Sequence, residues 1–271
     1  MVSTAIKTVE LLHFSPESQR AAGIFAALTR GAGDLTIKQT STFIGGSDVL
    51  LLWGPGAPDR WEPMQRQIDR GGHVVACDLA YWDRDKKFRV SLDAPHPQDY
   101  VMRRSWPDAR LSNDRVARGD AWHADGPVIV AGIGEKARAQ YQQSGVHEWE
   151  RLQIEAAKQA GYRVRYRPKK HGANPFAIET MPSTTPIDYA LRGASAVVTW
   201  HSNVAVDAIR LGIPVVCRDG ASAAVCESTW RAGLRPLEPS IAHQFLANLA
   251  HFQYAPSEAR QCWQFISEML S

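Results

Sequence analysis

SAVVTWHSNVAVDAIRLGIPVVC, running from Ser195 to Cys217, decides the fold. Ala196 to Thr199 is a short apolar run rich in β-branched residues, the composition of a strand buried on both faces, as in a parallel sheet. Trp200, His201, Ser202 and Asn203 form a polar turn. From Val204 the apolar residues fall at 204, 205, 208, 209 and 211, with Asp207 and Arg210 among them, which predicts an amphipathic helix of about two turns. Gly212 stands where helices stop. Pro214 admits only the start or edge of a strand, so the next strand is Val215 to Cys217. At the turn, the first free N–H groups and the positive end of the helix dipole make an anion site. Ser202 and Asn203 stand there, and either also serves as a plain helix cap.

Outward from this stretch the pattern repeats. Tyr162 to Arg167 reads as a strand and ends in the basic run RPKKH, so Arg165, Arg167, Lys169, Lys170 and His171 cluster at its carboxyl end. Arginine offers a fork matched to phosphate oxygens and lysine a point charge, so in a parallel sheet this cluster suits an anion near the Ser202 turn, unless it is only a solvated charge run. A helix marked by Trp149, Leu152, Ala156 and Ala160 precedes it. Before that, VIVAG runs into Gly132-Ile133-Gly134-Glu135-Lys136, a glycine turn suited to close approach of a phosphate or a base, or a simple connection. Thr185 to Asp188 opens a short helix. Two closing helices span 241–252 and 258–270, with Ser240 and Ser257 as their caps.

The amino-terminal half shares this architecture. Thr8 to Phe14 is a strand, Ser15-Pro16-Glu17 a helix start with its first proline and acid in place, and Leu35 to Gln39 a second strand. VLLLW, 49–53, is a central buried strand followed by Gly54-Pro55-Gly56. A helix over 60–70 turns Trp61, Met64 and Ile68 inward, and HVVAC, 73–77, is a strand ending at Asp78. Past Asp78 the periodicity fails as far as Gly126, and a loop that long is often functional. The expectation is an α/β protein of two Rossmann-like domains with parallel sheets, 1–125 and 126–271, around a cleft.

The pattern SN-x3-DA-x2-LG-x-PVV resembles the donor half of GT-B glycosyltransferases, in particular capsule-polysaccharide transferases and small phage-encoded DNA glycosyltransferases. The resemblance is specific from Tyr162 to Cys217. It implies a diphosphate of a nucleotide sugar at Ser202 and Asn203, a ribose held by Asp207, and the basic stretch facing the nucleotide. Arg167, Lys169 and His171 follow as donor residues, with Gly134, Lys136 and His201 beside them. Retaining members often carry a glutamate where this chain has Thr199, so transfer with inversion is the expectation. Inversion requires a base for the acceptor hydroxyl. Asp78 is the first candidate and His96 the second, while Tyr81, Trp82 and Arg84 are candidates to bind the acceptor, by stacking and charge. Each has a plainer reading as a turn or packing residue.

Composition sets the bounds. The chain has 271 residues, 44% hydrophobic and 22% charged, with net charge +3. That describes packed domains rather than a disordered chain, and its mild basicity suits an anionic substrate. The four cysteines, Cys77, Cys217, Cys226 and Cys262, show no metal-site spacing. No secretory leader or bilayer-length apolar run is visible, so a cytoplasmic enzyme is expected, in the host cytoplasm if phage-encoded. Asp83-Arg84-Asp85 matches the D-x-D of metal-dependent transferases, but Lys86 and Lys87 follow at once, so it reads as an exposed loop. No metal site is assigned and no cofactor is obligatory, a divalent ion remaining possible. The activity expected is hexosyl transfer from a UDP-sugar co-substrate. Its acceptor would be a hydroxymethylpyrimidine in double-stranded DNA, with a capsular or lipopolysaccharide glycan as the alternative. A nucleotide-sugar epimerase and a non-catalytic nucleotide-binding module share the fold.

Overall fold

The computed structural model describes residues 6–14, 18–134, 137–138, 147–169 and 172–271. Ser15, Pro16 and Glu17, together with Lys136, Lys170 and His171, lie outside the described residues. In chain order the elements are β1 Thr8–Leu12, α1 Gln19–Gly31, β2 Thr36–Thr40, β3 Val49–Trp53, α2 Trp61–Asp69, β4 His73–Leu79 and β5 Phe88–Leu92. There follow β6 Val128–Ala131, α3 Glu148–Gln159, β7 Val164–Arg167, β8 Glu179–Thr180, α4 Ile187–Leu191, β9 Ala196–Thr199, α5 Val204–Arg210, β10 Val215–Cys217 and α6 Pro239–Ala250. The chain closes with β11 Gln253–Tyr254 and α7 Ala259–Leu270.

These elements form two compact units, Met1–Pro97 with His251–Ser271, and Gln98–Ala250. The sequence pattern places a division at 125/126, whereas the second unit begins at Gln98. Asn248 explains the difference. It is fully buried on α6, donates to the carbonyls of Val101 and Arg104 at 2.8 Å each, and accepts from the Trp106 N–H at 2.8 Å. A buried amide with its hydrogen bonds satisfied ties that segment to the second unit.

The first unit holds a six-stranded sheet in the order β11-β5-β4-β3-β1-β2. Strands β1 to β4 run parallel, and β5 lies antiparallel to β4 and β11 to β5. Residues 49–52 of β3 are wholly buried, each leucine contributing about 1.5–3 kcal/mol. The antiparallel β5 corrects the reading of 79–126 as loop. FRVSL is buried throughout, and its Arg89 and Ser91 hid a central strand behind polar residues. On α1 the cap is Ser18, whose Oγ accepts from the Ala21 N–H at 3.1 Å. The Trp263 indole N–H of α7 donates to the Leu28 carbonyl at 2.9 Å and seats α7 on α1. Two helices are turned from the expected phase. In α2 Met64 and Gln67 face inward while Trp61 and Ile68 are exposed, and in α3 Glu150, Ile154 and Ala157 are buried while Leu152 is exposed.

The second unit holds a five-stranded, all-parallel sheet in the order β8-β7-β6-β9-β10. That is the order of a Rossmann sheet. Register pairs Val130 with Val198 and Ala131 with Arg167, so Gly132, Pro168 and Trp200 leave the sheet along one edge. Gly212 ends α5 at φ +71°, and a Cβ there would press on the Gly119 backbone. Both demands require glycine.

Candidate functional site

In an open α/β sheet, ligands bind beyond the carboxyl ends of the strands where the strand order reverses. In the second unit that point lies between β6 and β9. The loops leaving it are Gly132 to Gly134 and Trp200 to Asn203, both singled out from the sequence. Gly132 has no room for a side chain, because a Cβ would overlap the Tyr166 hydroxyl and come within 2.9 Å of its Cζ. Tyr166 is fixed in the core at 2% exposure. A Cβ on Gly134 would meet only the Lys169 side chain, at 3.9 Å. Gly132→Ala is therefore expected to lower stability by about 1–3 kcal/mol, the usual cost of overpacking, and Gly134→Ala by much less. Equal denaturant midpoints for the two variants would contradict this packing. The same contact brings Lys169 and Gly134 together.

The turn after β9 is braced from three sides. Ser202 N–H donates to Thr199 Oγ1 at 3.2 Å, and Ser202 Oγ accepts from the Val204 N–H at 3.4 Å. Ser202 thus supplies the side-chain bond at the helix start, while Asn203 adopts helical dihedrals and makes no capping bond. His201 follows Trp200, whose ring meets Trp149 edge-on at 5.5 Å and lies 5.3 Å from the Arg218 guanidinium. The Asp219 N–H donates to the Trp200 carbonyl at 2.6 Å and joins the β10 loop to the turn.

Arg167 stands at the end of β7, as expected, but its guanidinium is engaged. It donates to the carbonyls of Pro182, Ser183 and Thr185 at 2.9, 3.0 and 3.0 Å. Burial depresses its pKa, and the nearby Asp207 carboxylate works against that. Arg167 and Asp207 are thus brought together, with Arg167 as a strut under the 182–185 segment. Lys169 remains exposed at the same edge.

Glu150 was not singled out by the sequence. It lies in the first turn of α3, wholly buried. Its Oε1 is ion-paired with Arg138, accepts from the Ile133 N–H at 3.2 Å and lies 3.4 Å from His147 Nδ1. One buried carboxylate thereby pins the loop after β6. Burial first, and then Glu150, pushes the Tyr166 phenol up to about 12, with Arg138 acting the other way. An acid in a first turn reads from sequence as a dipole partner, and nothing local signals that it turns inward.

The first unit rearranges the acceptor candidates. Asp78 lies inside β4, because the strand runs on to Leu79. Its Oδ2 accepts from Arg89 at 3.1 Å and its Oδ1 from the Leu79 N–H at 2.7 Å. Arg89 is 3% exposed and also donates to the Pro95 carbonyl, next to His96. Tyr81 and Trp82 are buried, and both backbone N–H groups donate to Gln253 Oε1, at 2.8 and 3.2 Å. Arg84 donates to the Ala80 carbonyl at 3.1 Å. These side chains pack their own segment because the end of the chain returns to it. Asp83 adopts φ +51° and pairs with Lys87 at 3.3 Å. The strand-order reversal in this sheet falls between β1 and β3. There His13 stands beyond β1, its Nε2 3.2 Å from Gln39 Oε1, and Gly54 beyond β3. The run TVELLHF already showed a histidine at a strand end, but a lone histidine there carries no pattern.

Among the described residues, no group of three or more His, Cys, Asp or Glu is placed to hold a metal ion, and no helix is long and apolar enough to cross a membrane. No protein-family model and no curated protein sequence matches the chain. Two solved structures from Thermosulfurimonas dismutans are similar to it. KpsC, beta Kdo 2,7 transferase, superposes with a TM-score of 0.55 at 13% identity, covering 92% of this chain and 92% of that one. KpsC, beta Kdo 2,4 transferase, gives 0.53 at 9% identity over 97% and 98%. The likeness shows a GT-B fold, built from two Rossmann-like domains.

Proposed function

We propose that this protein is a glycosyltransferase that takes a sugar from a nucleotide sugar and places it on a glycan hydroxyl. The observation that carries the reading is the edge of the second sheet. There a glycine turn, the Ser202 turn and Lys169 converge where the strand order reverses. The diphosphate is held by backbone N–H groups and Lys169, with Asn203 and His201 beside it and Asp207 on the ribose side. In the reaction the acceptor oxygen bonds to the anomeric carbon, the bond from that carbon to the diphosphate breaks, and the hydroxyl proton passes to a base. Fixed N–H dipoles and a lysine stabilise the departing charge without a metal ion.

Tyr81 and Trp82, expected to stack on an acceptor sugar or base, are buried and favour neither acceptor. The names of the two similar structures point toward Kdo transfer, and on that ground the glycan replaces DNA as the favoured acceptor. The donor nucleotide in this reading is UDP, by the sequence resemblance. The test is mass spectrometry of glycan and hydroxymethylpyrimidine-DNA acceptors after incubation with mixed nucleotide sugars in chelator. Sugar added to a glycan supports the reading. Addition to DNA alone, or activity only after a divalent ion is restored, overturns the acceptor or the metal-free step. Donor interconversion without acceptor indicates an epimerase.

For the base we assign His13 in place of Asp78. The Asp78 carboxylate accepts from the buried Arg89, and its removal strands that arginine, whereas His13 stands at the reversal point of its own sheet with its Nε2 3.2 Å from Gln39 Oε1. His13→Asn is expected to lower turnover by about 10²–10⁴-fold with the fold intact. Asp78→Asn is expected to lower stability instead. A stable Asp78→Asn protein without turnover would restore Asp78 as the base.

A further inference from the structure

At the carboxyl edge of the second sheet, the end of β10 brings a cation beside the Ser202 turn. Register pairs Cys217 with Thr199, so Arg218 leaves the sheet next to Trp200. It belongs neither to the basic run after β7 nor to the glycine turn, and a single arginine after PVVC carries no pattern of its own in the sequence.

The backbone around Arg218 is strapped to that turn. The Arg218 N–H donates to the Thr199 carbonyl at 3.3 Å, and the Asp219 N–H to the Trp200 carbonyl at 2.6 Å. The buried Cys217 thiol donates to the Asp219 carbonyl at 2.7 Å. Gly220, at φ +90°, lies so close that a Cβ there would stand 3.2 Å from the His201 carbonyl oxygen. The Arg218 side chain is exposed and held by a ring. Its guanidinium lies 5.3 Å from the centre of the Trp200 ring, within cation–π reach. The neighbouring Asp219 turns its Oδ1 to the Gly220 N–H at 2.7 Å, and among the described residues no carboxylate is ion-paired with Arg218. The ring thus steadies a guanidinium whose N–H donors stay open to a ligand.

Arg167 marks the other side of the site. It ends β7, and the Asp207 carboxylate lies near it, on the ribose side in the reading above. In the order β7-β6-β9-β10, β10 stands three strands from β7, about 14 Å along the edge. A nucleotide that starts at Asp207 therefore meets Arg218 with its far end, beyond the phosphate that adjoins the ribose. We propose that Arg218 is a further donor residue, whose planar fork binds the second phosphate of a nucleoside diphosphate, the one bonded to the sugar. When the bond to the anomeric carbon breaks, that phosphate keeps the electron pair, so a fixed cation there also favours its departure. The inference rests on the donor reading above and adds to it the residue that tells a diphosphate from a monophosphate.

The test is calorimetric titration of UMP and UDP into wild type, Arg218→Gln and Arg218→Lys, on the full chain, with melting temperatures confirming the fold of each variant. Arg218→Gln is expected to weaken UDP binding by at least roughly tenfold, the effect of one charge-assisted bond, and UMP binding by less than about twofold. Lysine keeps the charge and loses the fork and the flat stack on Trp200, so it should recover at most part of the UDP affinity. Unchanged UDP affinity in Arg218→Gln, an equal fall for UMP and UDP, or wild-type UDP affinity in Arg218→Lys would overturn the assignment and leave the nucleotide site standing. No saturable binding of UDP by wild type would instead remove the donor reading, and the role of Arg218 with it.

Discussion

Glu150→Ala is expected to lower the stability of the second unit by about 3–5 kcal/mol, the cost of removing one partner from a buried ion pair. The carboxylate is wholly buried and Arg138 nearly so, at 15% side-chain exposure. Its removal leaves a guanidinium facing protein, and the Ile133 N–H loses its acceptor. Glu150→Gln keeps the shape and one acceptor oxygen, so part of the loss should return. The damage is local to the loop after β6, and nucleotide affinity should fall with stability. Denaturant midpoints of the two variants measure the first effect. A loss below about 1 kcal/mol would place this pair among surface pairs and remove the bracing role.

Arg167→Ala carries the second large effect. Three carbonyls, of Pro182, Ser183 and Thr185, depend on one guanidinium. Bonds to charged groups contribute about 1.5–3 kcal/mol each and do not add fully, so a loss of about 3 kcal/mol is expected. Nucleotide affinity should fall too, because the 182–185 segment is released. Arg167→Lys separates the two roles. Lysine keeps the charge and cannot reproduce the fork. If Arg167 is a strut, the lysine variant loses stability almost as the alanine variant does. If it is a phosphate ligand, lysine keeps both stability and most of the affinity.

Much of the fold was legible wherever burial on both faces leaves an unbroken apolar run. VLLLW, HVVAC, VIVA and AVVT are all strands at or near their expected bounds. Gly212 ends its helix as read. The failures share a cause. FRVSL contains an arginine and a serine that the fold buries, and the carboxylate that pairs with that arginine stands on another strand. EWERLQ places its glutamate inside and its leucine outside, because the partners of Glu150 come from Ile133 and Arg138. Charges satisfied by residues distant in sequence cannot be read from local periodicity. The compact units divide elsewhere than 125/126 for a related reason, since Asn248 holds a segment 147 positions earlier, at Val101.

The candidate site was legible in its backbone and less so in its side chains. The two loops at the reversal of strand order were both chosen from glycine and cap signals. The side chains expected to touch ligand divide differently. Arg167 supports a neighbouring segment, Tyr81 and Trp82 pack their own, and Asp78 neutralises a buried arginine. Each is engaged by a partner that only the folded chain supplies.

Calorimetric titration of uridine and cytidine nucleotides into wild type and Gly134→Glu tests the central claim most directly. A Cβ on Gly134 would meet only the Lys169 side chain, at an ordinary contact distance of 3.9 Å, and its φ lies outside the left-handed region, so a glutamate there should leave the melting temperature near that of wild type. Its charge would stand where the diphosphate is proposed to bind. The account predicts saturable binding of a pyrimidine nucleotide by wild type and at least roughly tenfold weaker binding by the variant, the effect of about 1.4 kcal/mol. Equal affinity in the two proteins, or no saturable heat with any nucleotide in wild type, would contradict it.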